Sequence, residues 1–165
     1  MDAVSEPMTF EPPKPTLEYL GRWQVELDAP IWELGETSGL GMRRIIPITG
    51  GTFDGPDFRG EILNNGADWQ VVTRDGVAII DTRYLLRTDD GEYVYLQTKG
   101  YRFGPPDVMA CLTRGEQVDP HLYTFRITMQ FETSSARYAY LNRQIGIAAA
   151  MRLGTRVTYD AYLVK

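Results

Sequence analysis

The chain has 165 residues, 43% of them hydrophobic and 24% charged, with 17 Lys and Arg against 22 Asp and Glu and a formal charge of −5. That length fits one domain with a sizeable core. The acidic balance without a Lys/Arg cluster argues against nucleic acid as a partner. Cys111 is the single cysteine, so no intramolecular disulfide forms and nothing points to an oxidising compartment. The opening Met1–Pro7 has neither a basic start nor an apolar run, and no stretch is long and apolar enough to cross a bilayer. The expectation is a cytoplasmic protein with no membrane partner.

Residues 1–16 carry Pro7, Pro12, Pro13 and Pro15 and read as a flexible arm, because proline blocks both helix and ladder. Residues 17–165 read as one domain. From Leu17 the pattern alternates: Leu17, Tyr19, Gly21, Trp23, Val25 and Leu27 share one face and mostly polar residues share the other. A period of two is the signature of a half-buried strand. Further strands are expected near 40–48, 58–64, 67–73, 77–87, 92–102, 121–132, 143–152 and 155–164. Asn65–Gly66, Asp75–Gly76 and Asp90–Gly91 read as tight hairpin turns, whose positive φ these dipeptides tolerate. Gly50–Gly51 reads as a bulge or corner. Arg43 and Arg44, adjacent on a strand, must face opposite ways. Residues 103–120, with Pro105, Pro106 and Pro120, are longer than a hairpin needs and suit a mouth-covering loop. Ser134–Ser135 offer N-caps for a short helical turn over 134–142. The sum is an all-β chain of about eight to ten antiparallel strands, closed into a barrel that leaves no free edges, with a sandwich as the alternative.

Several chemistries lack their residues. His121 is the single histidine, so with Cys111 it cannot assemble a His/Cys zinc site within one chain, and its place beside Pro120 suits a rim residue better than a triad. Gly39–Leu40–Gly41 lacks the third glycine of a dinucleotide fingerprint and precedes a strand. Asp89–Asp90–Gly91 lacks the ligand spacing of a calcium loop. No metal and no cofactor is expected.

Candidates for acid–base work lie on strands. On 123–132, Tyr123, Phe125, Ile127, Met129 and Phe131 share one face, and Thr124, Arg126, Thr128, Gln130 and Glu132 share the other. Alternation favours the apolar face as core; the functional alternative turns the polar row into a wet interior. Asp81 and Arg83, flanked by Ile79 and Leu85, form an acid–base pair on one face. Tyr93, Tyr95, Gln97, Lys99 and Tyr101 form a third row, in which Lys99 reads as solvated. Trp69 reads as a core tryptophan with Asp68 capping the turn before it.

The runs Pro47–Pro56, Asn65–Gln70, Asp75–Gly76 with Asp81–Tyr84, Thr88–Gly91, Phe131–Thr133, Arg137–Tyr138 and Leu141–Arg143 together resemble the bacterial and fungal family known as domain of unknown function 3237. The resemblance spans about residues 17–164 and implies a calycin-like barrel, without a settled activity. Roles in cyclisation or isomerisation within polyketide or aromatic-metabolite pathways are what it suggests.

The reading is therefore a lipocalin-like barrel that holds a small organic metabolite. If it catalyses, the chemistry is isomerisation, cyclisation or elimination near a carbonyl. Glu132 or Asp81 is the candidate base and Tyr138 or Tyr84 the candidate acid. Arg43, Arg83 and Arg126 are candidate oxyanion partners, and Trp69, Tyr95 and Asn142 complete the candidate substrate contacts. A non-catalytic binder is the second reading. A packed module dimerising through exposed Phe125 or Met129 is the third.

Overall fold

The computed structural model describes residues 9–165; the expected arm lies partly outside them, and residues 9–16 are exposed without regular structure. The strands are β1 (Leu17–Glu26), β2 (Trp32–Thr37), β3 (Gly41–Ile48), β4 (Gly50–Asp54), β5 (Gly60–Ile62), β6 (Gly66–Val72), β7 (Ala78–Thr88), β8 (Tyr93–Phe103), β9 (Thr124–Glu132), β10 (Ile145–Leu153) and β11 (Arg156–Val164). One helix, α1 (Pro106–Thr113), follows β8, and 3-10 turns occupy Pro120–Leu122 and Ala139–Arg143. Neighbouring strands pair antiparallel, and the β7–β8 pairing closes the sheet on itself.

Eight walls make the barrel. β3 and β4 are separated by Thr49 alone and run as one bent strand. β5 and β6 share one edge of β7, β5 along Leu86–Thr88 and β6 along Ala78–Arg83. β2 stands outside the closure as a hairpin partner of β3. The bend at Gly50–Gly51 is the expected corner. A Cβ on Gly51 would sit 2.0 Å from the Gln24 carbonyl oxygen, at a φ of +131° that disfavours other residues. Gly66 is a correction: it opens β6 instead of turning a hairpin, and glycine is needed because a Cβ would lie 2.2 Å from the Arg83 carbonyl oxygen.

The period-two reading of β9 holds in its plainer form. Phe125, Ile127, Met129 and Phe131 are buried inside, and Arg126, Thr128, Gln130 and Glu132 face out. Phe125 and Met129 therefore offer no surface for a dimer, which corrects that expectation. β2, β4 and α1 were not legible from pattern. In α1, Pro106 at the first helical position supplies the φ a helix start needs, and Leu112 packs into the core with Val108 and Met109 beside it. The 103–120 segment thus sets a helix against one end of the barrel. The opposite end is packed by aromatics: Trp23 stacks on Phe53 at 5.4 Å and on Tyr159 at 5.7 Å, and Phe58 lies 4.6 Å from Phe53 and 5.4 Å from Tyr138.

Candidate functional site

Strand parity decides which polar side chains enter the barrel. Register aligns Ile46 with Asp68, Arg44 with Gln70, Asp68 with Thr82, and Thr82 with Thr98. All of these point inward, since cross-strand partners share a face. Arg102 follows Val94, Leu96, Thr98 and Gly100 on the inward row of β8, and Arg152 follows Ala148 and Ala150 on β10. A polar belt results near the α1 end of an otherwise apolar interior.

Hydrogen bonds fix the belt. Arg44 donates from Nε and Nη2 to Gln70 Oε1 at 2.8 and 2.5 Å. Gln70 donates from Nε2 to Asp68 Oδ2 at 2.8 Å, and the Asp81 backbone N–H donates to Asp68 Oδ1 at 3.0 Å. The Thr82 and Thr98 hydroxyls pair at 2.6 Å, and the Tyr84 and Tyr159 hydroxyls pair below them. Each hydroxyl pair consumes one of its two O–H donors, so each retains one donor for another acceptor. The Arg152 backbone N–H donates to the Tyr123 hydroxyl at 2.9 Å, and Arg152 Nε donates to the Gly154 carbonyl at 3.1 Å. Arg102 differs. Only 5% exposed, it rests its guanidinium 5.7 Å over the Phe125 ring, and its Nε has no hydrogen-bond partner.

Burial drives the electrostatics. Asp68 is 7% exposed, and desolvation holds its carboxyl above the usual range against the opposing pull of the Asp81 N–H, Gln70, Arg102 and Arg44. Desolvation also lowers Arg44 and Arg152. Arg102 is pushed down to about 10 by desolvation first, then by repulsion from Arg152 and Arg44. It stays protonated at neutral pH. Burial raises both Tyr84 and Tyr159, so both hydroxyls keep their protons.

Two spaces meet this belt. A cavity of about 50 Å³ inside the barrel is lined by Asp68, Thr82, Thr98, Tyr84 and Tyr159 among apolar side chains such as Ile80 and Phe125. A cleft of about 460 Å³ lies between α1 and the strand ends, with Met109 and Ala110 on one side, Glu33 and Met42 on the other, and Arg44 and Arg102 in its lining. The chain Arg44–Gln70–Asp68 joins cleft to cavity. A larger concavity of about 770 Å³ lies on the outer wall, where Ile79, Tyr101, Ile147 and Tyr162 surround Asp81, Lys99 and Arg126. Its charged groups face solvent, so the buried belt is the better candidate for chemistry.

The residues expected from sequence do not converge. Glu132, Arg126 and Arg83 are exposed on the outer wall, and Asp81 is half-buried there, 3.5 Å from Arg83. Tyr95 sits opposite Glu132 on the same outer face. Trp69 is half-buried outside with the Arg83 guanidinium 5.7 Å over its ring, and Arg43 donates to the Trp69 carbonyl at 2.6 Å. These corrections share one cause: each residue has the strand parity opposite to the inward row. Trp69 is accordingly not the core residue, and Asp68 is not a turn cap. Tyr138 is buried at the far end, where its hydroxyl donates to Asp90 at 2.9 Å, and Asn142 bridges the backbone of Thr133. Tyr84 does enter the interior. Asp68, Arg44, Arg102, Arg152, Thr82, Thr98 and Tyr159 were missed as site residues; the signal that finds them is a polar residue continuing an apolar every-second-residue row.

Comparison with known proteins places the chain. The sequence profile described as "Protein of unknown function (DUF3237)" matches residues 15–164. The UPF0311 protein blr7842 of Bradyrhizobium diazoefficiens is 42% identical over 130 residues, which cover 79% of this chain and 84% of that protein. A crystal structure of a beta-barrel-like protein from Acinetobacter baumannii is 58% identical, covering 95% of this chain and 100% of that one with a TM-score of 0.85. A protein from Penicillium herquei described as an enzyme shares the fold at 20% identity, with a TM-score of 0.68 over 96% of this chain and 100% of that one. The chain belongs to the DUF3237 family of β-barrel proteins.

Proposed function

We propose that the belt is an acid–base site for a small organic molecule bearing a carbonyl or phenolic oxygen, with Asp68 moving the proton. The observation that carries this reading is Asp68 itself, a carboxyl buried beside a cavity and held above its usual range by desolvation. A raised carboxyl exchanges protons closer to neutrality than an exposed one and serves as acid or base. The unspent hydroxyl donors of the Thr82–Thr98 and Tyr84–Tyr159 pairs suit a ligand oxygen that gains charge. The cavity admits water or the tip of a ligand, whereas the cleft has the size of a small-molecule site. The ligand body then occupies the cleft and its reactive end approaches the belt. Isomerisation, cyclisation or elimination beside a carbonyl is chemistry these side chains suffice for. The description of the Penicillium herquei protein of this fold as an enzyme is in keeping with the catalytic reading.

One observation favours a binding protein without turnover: both Asp68 oxygens already accept a hydrogen bond. Hydrogen–deuterium exchange at the acidic carbon of a cyclic β-diketone, followed by NMR in deuterated buffer, separates the two readings. Acceleration by the wild type, with a loss of about a hundredfold in Asp68→Asn, is the expected result. Equal rates for both proteins, or no acceleration by either, sinks the catalytic reading.

A further inference from the structure

Three arginines enter one end of this barrel; Asp68 is the carboxylate that acts on all three, and Glu33 acts on Arg44 alone. Buried cations are rare without partners, because moving a charge out of water is costly unless an opposite charge and hydrogen bonds compensate. Asp68 attracts Arg44, Arg102 and Arg152 alike. Through Gln70 it is linked to Arg44. Among the described residues none of the three forms an ion pair within 4.0 Å, although ten such pairs form elsewhere. Arg102 is the extreme case, with an unpartnered Nε, a ring beneath it and two cations beside it.

We propose that Arg44, Arg102 and Arg152 form an oxyanion receptor at the α1 end, so that the ligand is an organic acid whose carboxylate or phosphate docks on Arg102. The receptor rests on the reading of the belt as a ligand site, and it names the ligand's charge. Geometry supports it in two ways. Arg44 and Arg102 both line the α1 cleft, so an anion arriving there meets them without crossing the apolar interior. A planar guanidinium with free N–H groups matches a carboxylate or phosphate edge in a way a lysine does not. The Phe125 ring under Arg102 occupies one face of the guanidinium and leaves its donor edge for the anion. The oxyanion neutralises the cation excess, and the body of the acid lies along Met109 and Ala110 of α1.

The test is a thermal melt and calorimetric titration of the full chain with benzoate, phenyl phosphate and neutral benzamide. A ligand that binds only the folded chain raises the melting temperature. Benzoate or phenyl phosphate should raise it and benzamide should not; whichever anion acts more strongly identifies the oxyanion. Arg102→Met should weaken that anion by about tenfold to a hundredfold, the range for losing a charged hydrogen bond. Arg152→Met should weaken it as well, and serves if Arg102→Met does not fold. Asp68→Asn should keep the anion response, so loss of proton exchange with retained binding would separate this proposal from the catalytic one. A benzamide response equal to that of the anions, no anion response in the wild type, or an Arg102→Met or Arg152→Met protein that binds the anion as the wild type does would overturn the receptor.

Discussion

At the end of the barrel remote from α1, Trp23, Phe53, Phe58, Phe131 and Tyr138 interlock ring on ring, and loops seal them from water. At the α1 end, Arg44, Gln70, Asp68, Arg102 and Arg152 occupy equivalent inward positions. Among the described residues, Trp23 Nε1 at the aromatic end and Arg102 Nε at the α1 end are buried donors without a partner; Thr37 Oγ1 on the β2 hairpin is a third such group. The indole is neutral and its large apolar surface outweighs one lost hydrogen bond. The guanidinium is charged, and the Phe125 ring beneath it and the attraction of Asp68 do not offset its desolvation. One sheet thus carries a stabilising end and a strained end, and separating them lets the second hold groups a uniform core would exclude.

The largest effect should come from the aromatic end. Phe58 is fully buried and touches four other rings. Phe58→Ala should cost about 3–5 kcal/mol, the usual price of a large cavity, read as a fall in the urea midpoint. A loss under about 1 kcal/mol would show that the rings repack freely and that this end is not the stabilising one.

The α1 end should respond with the opposite sign. Arg102→Met removes a desolvated, unpaired charge and keeps the unbranched apolar stem, so stability should rise by about 1–4 kcal/mol. Chemical denaturation at neutral pH measures it. A destabilisation as large as that of Phe58→Ala would make Arg102 a structural residue and erase the contrast.

A smaller effect follows from Asp68. Its folded-state carboxyl lies above the unfolded value because burial dominates. The folded chain therefore holds that proton more tightly, and the associated stability is fully present below the unfolded pKa and is lost as pH rises through the folded one. The stability of the wild type minus that of Asp68→Asn should fall as pH rises from the acidic range. A difference that grows with pH would mean that the arginines outweigh desolvation.

Much of this architecture was legible because alternation is local. β7, β8 and β9 each show a clean period of two, and the Asp75–Gly76 and Asp90–Gly91 turns carry the positive φ at glycine that hairpins favour. In β1 the period holds only from Gly21 on: a bulge at Leu20 buries that residue and leaves Leu17 and Tyr19 exposed, against the single apolar face expected. Arg43 and Arg44 do face opposite ways, Arg43 onto the Trp69 carbonyl and Arg44 onto Gln70. The site was less legible because β7 has two mixed rows. Ile79, Asp81, Arg83 and Leu85 form one; Ile80, Thr82, Tyr84 and Leu86 form the other. The first displays charge and draws attention, but charge on a strand is most often a sign of solvent. The second displays hydroxyls among aliphatics, which is how a satisfied polar interior looks in one dimension. Asp68 was hidden further by its neighbour, since a tryptophan beside a turn reads as core although here it is Asp68 that turns inward. α1 escaped because its eight residues bury few side chains and its start carries two prolines, Pro105 before the helix and Pro106 at its first position.

The smallest expected effect is the sharpest check on inside against outside. Glu132 lies on the outer wall beside Tyr95, and Asp81 makes a 3.5 Å ion pair with Arg83 in which both side chains keep access to water. Exposed pairs of this kind contribute little, because water already solvates both charges. Glu132→Gln and Asp81→Asn should therefore shift neither the urea midpoint nor the rate of diketone proton exchange beyond experimental error. Loss of exchange in Glu132→Gln with the midpoint unchanged would move the chemistry to the outer groove bounded by Gln97, Lys99 and Arg143. The buried belt would then be a costly arrangement without a chemical use. Retained exchange in both variants, alongside its loss in Asp68→Asn, leaves the inward parity of Asp68 as what distinguishes a working carboxylate from a solvated one.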